Sequence, residues 1–160
     1  MIRPGPGFLL SHPAHFIALG FGAGLAPWAP GTFGSLAALP LFWLLLQFGL
    51  SQAGLLLVTA LAFVLGIWAA SVTGRHLGAA DAGPIVWDEI VAMWLLLAFA
   101  PSGWPGWLAA LGLFRFFDIL KPWPIRFFDT RLEGGFGVMF DDLLAALYAL
   151  FIIEGWQWLV

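Results

Sequence analysis

The sequence contains no cysteine, and only 9% of its 160 residues are charged. The first absence excludes disulfides, thiolate nucleophiles and cysteine-ligated metals, and it leaves the redox compartment unreadable. The second decides more. A soluble globular domain averages about 25% charged residues, whereas here 62% of residues are hydrophobic. Too few polar side chains remain to cover a water-facing surface, so lipid is the solvent for much of the chain. A net charge of −3 offers no basic excess with which to neutralise nucleic-acid phosphates. Walker, H-E-x-x-H and G-x-S-x-G motifs are also missing. The start, MIRPGPGFLL, has no apolar stretch ending in a small-residue cleavage site, so no cleaved signal peptide is expected.

What is present is a series of long apolar runs. About 20 apolar residues span a bilayer, and somewhat fewer suffice where flanks snorkel or the bilayer thins. Five candidates meet that condition: Ser35 to Leu50, Ala53 to Thr73, Ile85 to Ala100, Trp107 to Leu120 and Val138 to Trp158. Phe16 to Leu25 is apolar but short and glycine-rich, and reads as a re-entrant or interfacial segment. The expected fold is an all-α membrane protein, a bundle of about five transmembrane helices in a single domain over residues 1–160.

Alternating these spans across the bilayer puts loops 26–34, 74–84 and 121–137 on one side with the N-terminus. That side holds Arg3, Arg75, Lys121, Arg126 and Arg131, and the other holds no lysine or arginine. The positive-inside rule makes the first side cytoplasmic. Trp104, Trp107, Trp156 and Trp158 fall on the far side and suit an aromatic belt. The same alternation carries every acidic residue except Glu154 to the cytoplasmic end.

Two acid pairs sit in similar settings, VWDEIVAM at 86–93 and MFDDLLAA at 139–146. Adjacent helical residues point about 100° apart, so one member of each pair is free to face the bundle while the other meets solvent or a metal. Asp88, Glu89, Asp118, Asp141 and Asp142 together form an all-oxygen ligand set that fits Mg²⁺. Helix N-termini also favour acids without any metal, but ionisable groups at membrane depth are costly and rarely idle. Arg115, Asp118 and Lys121 stand at i, i+3 and i+6 on one helix face. They read either as an ion-pair ladder or as a metal ligand flanked by two anion clamps. PWAPGTFGS at 27–35 is a braced turn entering a helix, where Thr32 and Ser35 either help cradle a phosphate or simply cap the helix. EGGFG at 133–137 reads as a turn, and His12, His15 and His76 as interfacial or loop residues.

PGTFGS at 30–35, IVWDEIVAMW at 85–94, FRFFDILKPWPIRFFD at 114–129 and GGFGVMFDD at 134–142 together resemble the successive motifs of the phosphatidylglycerophosphatase A family. The resemblance implies a Mg²⁺-dependent enzyme of the inner membrane that hydrolyses phosphatidylglycerophosphate to phosphatidylglycerol and phosphate. It carries over to Thr32, Ser35, Asp88, Glu89, Arg115, Asp118, Lys121, Arg126, Asp129, Asp141 and Asp142. Metal is expected on Asp88, Glu89, Asp118, Asp141 and Asp142. Thr32, Ser35, Arg115, Lys121, Arg126 and Asp129 are expected to bind substrate, and Lys121 joins the acids in catalysis. The expected mechanism is in-line attack by Mg²⁺-activated water, with an aspartyl-phosphate route as the variant. The rival from another class is an ion- or proton-coupled transporter, which would place its carboxylates near the midplane between inverted repeats.

The charge asymmetry makes a direct prediction. In a chain without native cysteine, Ser102→Cys should react with an impermeant maleimide on intact cells and Arg131→Cys should not. The opposite labelling pattern would invert the topology.

Overall fold

Prolines open the first three helices of this computed structural model, which describes residues 4–159; Arg3 lies outside the described residues. Pro6, Pro13 and Pro30 stand in the first turn of α1 (Pro6–Leu10), α2 (Pro13–Ala18) and α3 (Pro30–Gln47), where a missing N–H costs nothing. They are followed by α4 (Gln52–Leu77), α5 (Trp87–Leu97), α6 (Trp104–Leu120), α7 (Ile125–Asp129) and α8 (Gly134–Leu159). The fold is all-α among the described residues, as expected.

Among the described residues, three helices are long and apolar enough to cross a membrane: α3, α4 and α8. The other two expected spans are shorter. At 1.5 Å per residue, the 11 residues of α5 rise only about 16 Å, against a hydrocarbon core of about 30 Å. Nine of those residues are buried. This helix is apolar because it is the centre of the bundle, packed against α3, α4, α6 and α8. Its indoles fasten it: Trp87 Nε1 donates to the Ala62 carbonyl at 2.9 Å and Trp94 Nε1 to the Ala38 carbonyl at 3.2 Å. Around it Phe42, Phe114, Ile125 and Met139 are almost wholly enclosed. The outer faces carry Leu57, Leu61, Val64, Leu108 and Phe151, all more than half exposed, a surface that lipid covers and water would not.

Two expected turns belong to helices. α3 begins at Pro30 rather than at Ser35, so Ser35 does not cap it; Ser35 is buried and its hydroxyl donates to the Gly31 carbonyl at 2.9 Å. Gly134–Gly137 is the first turn of α8. A side chain on Gly135 would collide with the Ile67 carbonyl of α4, so glycine there is what lets α4 and α8 touch. Gly135 N–H donates to Ser71 Oγ across that contact at 3.2 Å. Residues 16–25 form the end of α2 and a short 3₁₀ segment (Gly20–Leu25) with left-handed residues at Phe21 and Gly22, and do not make a span.

The histidines meet where α2 packs on the end of α4. His15 Nδ1 lies 3.0 Å from the Phe8 carbonyl, which only accepts, so Nδ1 carries the proton. His15 Nε2 then accepts from His76 Nδ1–H at 2.8 Å, and Phe8 stacks on the His15 ring at 4.0 Å. This clasp holds the N-terminal segment to α4. His12 also borders it, 5.4 Å from His15 between ring centroids.

Burial lowers the His15 pKa from 6.5, with smaller lowering from His76 and His12 opposing the bond to Phe8. A depressed pKa means the unfolded segment binds its proton first, so the clasp is complete above about pH 6.5 and weakens as the pH falls below it. Amide exchange over residues 8–15, corrected for intrinsic rates, should be faster at pH 5 than at pH 7.5. His76→Ala should show the faster exchange already at pH 7.5. Equal protection in all three samples would remove the clasp.

Candidate active site

The chain's alternation brings the start of α3, the end of α4, the start of α5, the end of α6 and the start of α8 to one end of the bundle. Asp88 and Glu89 lie in the first turn of α5, where the helix dipole favours them. Asp88 Oδ1 accepts the Glu89 N–H at 3.0 Å. About two turns into α8 stand Asp141 and Asp142. All four carboxylates are drawn inward: Asp88, Asp141 and Asp142 are 7%, 6% and 4% exposed, and the Glu89 side chain is 12% exposed. Of the two outcomes expected for the outer member of each pair, solvent or a metal, solvent is not the one seen. α5 is enclosed on every side, and the Asp141 face of α8 is covered by the 121–133 segment.

The acids separate into two groups. Asp88, Glu89 and Asp142 each offer an oxygen within 4.8 Å of the others. Glu89 Oε2 and Asp142 Oδ2 are buried and have no hydrogen-bond partner among the described residues. Arg115 approaches this group from α6, with Nη1 3.7 Å from Glu89 Oε1 and 2.5 Å from Asp118 Oδ2. The Asp118 oxygen lies off the N–H directions, so Nη1 and Nε are buried without an accepted hydrogen bond. Gly31, at the start of α3, closes the same space. A Cβ there would strike the Glu89 carboxylate and come within 3.1 Å of Arg115 Nη1.

The second group centres on Lys121. This residue ends α6 in the left-handed conformation, φ 41° and ψ 60°, a conformation uncommon outside glycine. The turn sends its ammonium to Asp129 Oδ1 at 2.7 Å and Asp141 Oδ2 at 2.5 Å. Asp129 is placed by α7, anchored by the fully buried Ile125. Burial alone would depress the lysine pKa; the bonds to Asp129 and Asp141 outweigh it and hold the group above its ordinary range. Lys121 is therefore a fixed positive charge at neutral pH. Asp141 Oδ1 stays buried without a partner. Beside it lies a cavity of about 190 Å³ lined by Asp81, Asp129, Glu133 and Asp141 among others.

Of the residues expected from sequence, the structure thus gathers Asp88, Glu89, Asp142, Arg115 and Asp118 around one point and Lys121, Asp129 and Asp141 around the next. Thr32 is half-buried in the first turn of α3, beside Gly31. Ser35 spends its hydroxyl inside α3, and Arg126 is exposed on α7. Two neighbours escaped the sequence reading. Gly31 sits inside a quoted motif, but its role depends on a contact with α5. Asp81 had only its place in the 74–84 loop to mark it.

The family model for phosphatidylglycerophosphatase A matches residues 16–156. A Haemophilus influenzae protein named phosphatidylglycerophosphatase A is 50% identical over 93% of this chain and 91% of its own length. An Escherichia coli protein of the same name is 43% identical over 90% of this chain and 83% of its own. A Bacteroides thetaiotaomicron protein with the provisional name phosphatidylinositol-3-phosphatase is 40% identical over 90% of this chain and 93% of its own. No solved structure matches the chain.

The Gly135 contact yields a stability test. Gly135→Ala, whose Cβ would meet the Ile67 backbone carbonyl, should destabilise the detergent-solubilised protein by about 1–3 kcal/mol, the usual cost of overpacking. Gly112→Ala, on α6 with open space around it, should be neutral or slightly stabilising. Equal melting temperatures for Gly135→Ala and wild type would mean that α4 and α8 do not touch there.

Proposed function

The chain belongs to the phosphatidylglycerophosphatase A family, and we propose that it hydrolyses the terminal phosphomonoester of phosphatidylglycerophosphate to phosphatidylglycerol and phosphate, with Mg²⁺, at the cytoplasmic face of the inner membrane. One observation carries the reading. Buried acceptors on Glu89 and Asp142 without a hydrogen-bond partner stand beside the Arg115 guanidinium, whose Nε is buried without one too and whose Nη1 meets only carboxylates. Left dry, each such atom costs about 1–3 kcal/mol. A divalent cation with a phosphate satisfies both kinds together, because the cation takes the carboxylate oxygens and the phosphate takes the guanidinium N–H groups.

The donor set fits Mg²⁺, being all oxygen and anionic. Asp88, Glu89 and Asp142 would hold the ion. When bound, it supplies Lewis-acid polarisation of the phosphoryl group and activation of water. The chain's own residues do the rest. Arg115 directs Nε and Nη1 at phosphoryl oxygens, and Asp118 fixes the guanidinium by charge. Lys121 has three N–H donors, of which two are held by Asp129 and Asp141; the third remains for a substrate oxygen. Both cations then stabilise charge on the equatorial oxygens during in-line attack. The start of α3, with Thr32, closes the site opposite Glu89. Acyl chains stay against the exposed apolar faces of the long helices.

A transporter would need its carboxylates near the midplane, whereas these lie at one end of the bundle. The provisional name of the Bacteroides relative makes the headgroup the point to measure. Phosphate release from phosphatidylglycerophosphate should exceed release from phosphatidylinositol 3-phosphate.

Activity should vanish in EDTA, return with Mg²⁺ and not return with Ca²⁺. Glu89→Gln and Asp142→Asn should each lower kcat by about 100-fold or more, in protein that still inserts and purifies. Glu154→Gln, exposed near the far end of α8, should be silent. Full turnover in EDTA after metal stripping, or equal damage from Glu154→Gln, would overturn the assignment.

A further inference from the structure

The two groups of acids differ in one respect that bears on how many ions the site takes. The group of Asp88, Glu89 and Asp142 has no ammonium among its oxygens, and Arg115 Nη1, 3.7 Å from Glu89, lies nearer to Asp118 at 2.5 Å. The group of Asp129 and Asp141 already contains a cation, the Lys121 ammonium at 2.7 and 2.5 Å. Consecutive residues of α8, Asp142 and Asp141, join the two groups.

We propose that the site takes one divalent cation, on Asp88, Glu89 and Asp142, and that the Lys121 ammonium, clamped between Asp129 and Asp141, stands in for a second. The inference rests on the metal-phosphatase reading above and adds the number of ions and the part played by Lys121. Many phosphoryl-transfer sites use two ions about 3.5–4 Å apart, one serving the attacking oxygen and one the leaving oxygen. A second ion here would need oxygens at about 2.0–2.1 Å, and Nζ already fills the space between the two carboxylates that would supply them. The ammonium also does what such an ion does. It sets a positive charge between Asp141 and Asp129, and it keeps one N–H for an oxygen of the substrate.

The positions of the unpartnered atoms agree with this division. Asp142 Oδ2 and Glu89 Oε2 are buried orphans that call for a cation from outside. On Asp141 only Oδ1 is an orphan, since Oδ2 is taken by the lysine. The left-handed backbone at Lys121 ends α6 where its ammonium meets Asp129 of α7 and Asp141 of α8. Ordinary helix-ending chemistry would put glycine at such a position, and here a lysine takes it.

The test is the count of bound Mn²⁺, read by electron paramagnetic resonance and equilibrium dialysis on the purified full chain in detergent. Wild type should bind one ion per chain, and Asp142→Asn should weaken that site at least 10-fold. Lys121→Met keeps the stem and removes the charge, so it should bind a second ion on Asp129 and Asp141. Adding Asp141→Asn to it should return the count to one. Lys121→Arg, which keeps a cation, should stay at one, and it serves as the charge-retaining comparison if Lys121→Met fails to fold: a count of two there would overturn the proposal. Two ions in wild type would also overturn it while leaving the phosphatase reading intact. No bound ion in wild type would remove the metal site itself, and with it both readings.

Discussion

Taking a carboxylate out of water costs on the order of several kcal/mol even after the protein relaxes around it, and this bundle withdraws Asp88, Glu89, Asp118, Asp141 and Asp142 at one end. Every other feature of that end answers the demand for counter-charge. Arg115 reaches Asp118 and Glu89 from one side, and Lys121 reaches Asp129 and Asp141 from the other. The two cations do not complete the neutralisation, and the shortfall is concentrated on Asp88, Glu89 and Asp142. On the proposed reading, that unfilled demand is what separates the region from a structural ion-pair ladder.

Meeting the demand requires five chain segments to converge, and the apolar part of the bundle is built to let them. α5 is short because it is a core and not a wall. Its nine buried residues put it under α3, α4, α6 and α8 at once, and the two indole bonds fix its rotation. Fixed rotation is what aims Asp88 and Glu89 inward. Gly135 then lets α8 approach α4 to backbone distance, and Gly31 leaves room for the Glu89 carboxylate against the start of α3. In lipid, helices gain little from hiding apolar surface from each other, so close backbone approach and interhelical hydrogen bonds carry more of the association.

Much of this was legible in sequence because membranes impose long-range order on short-range patterns. Counting apolar runs and alternating sides was enough to bring Asp88, Asp118 and Asp141 to one end before any contact was known. Hydrophobicity alone, however, does not separate a lipid-facing helix from a buried one, so the third run read as a span while α5 is only 11 residues long. Local chemistry also misplaced the start of α3. Serine is a good cap, but Pro30 at the first turn nucleates the helix earlier and turns Ser35 inward. The His15–His76 bond joins residues 61 apart, and nothing in either neighbourhood announces it.

The two acid pairs show where sequence likeness stops informing chemistry. WDE at 87–89 and FDD at 140–142 share an aromatic residue followed by two acids, each near the start of a helix at the same end of the bundle. Their fates differ because their neighbours differ. Both acids of the first pair enter the same group, Glu89 reaching across to Arg115 and Gly31 with its extra methylene. The second pair is divided, Asp142 to that group and Asp141 to Lys121. The division is imposed from outside α8, by the left-handed turn at Lys121 and by α7, which brings Asp129 to the opposite side of the ammonium. Arginine and lysine are not interchangeable in this arrangement. The flat guanidinium of Arg115 spans Asp118 and Glu89 and still has donors to aim, while the compact ammonium of Lys121 fits between two carboxylates as a metal ion would. The asymmetry of the site is thus an asymmetry of its two cations, and the near-repeat of its acids is compatible with it because each carboxylate takes its role from the charge it meets.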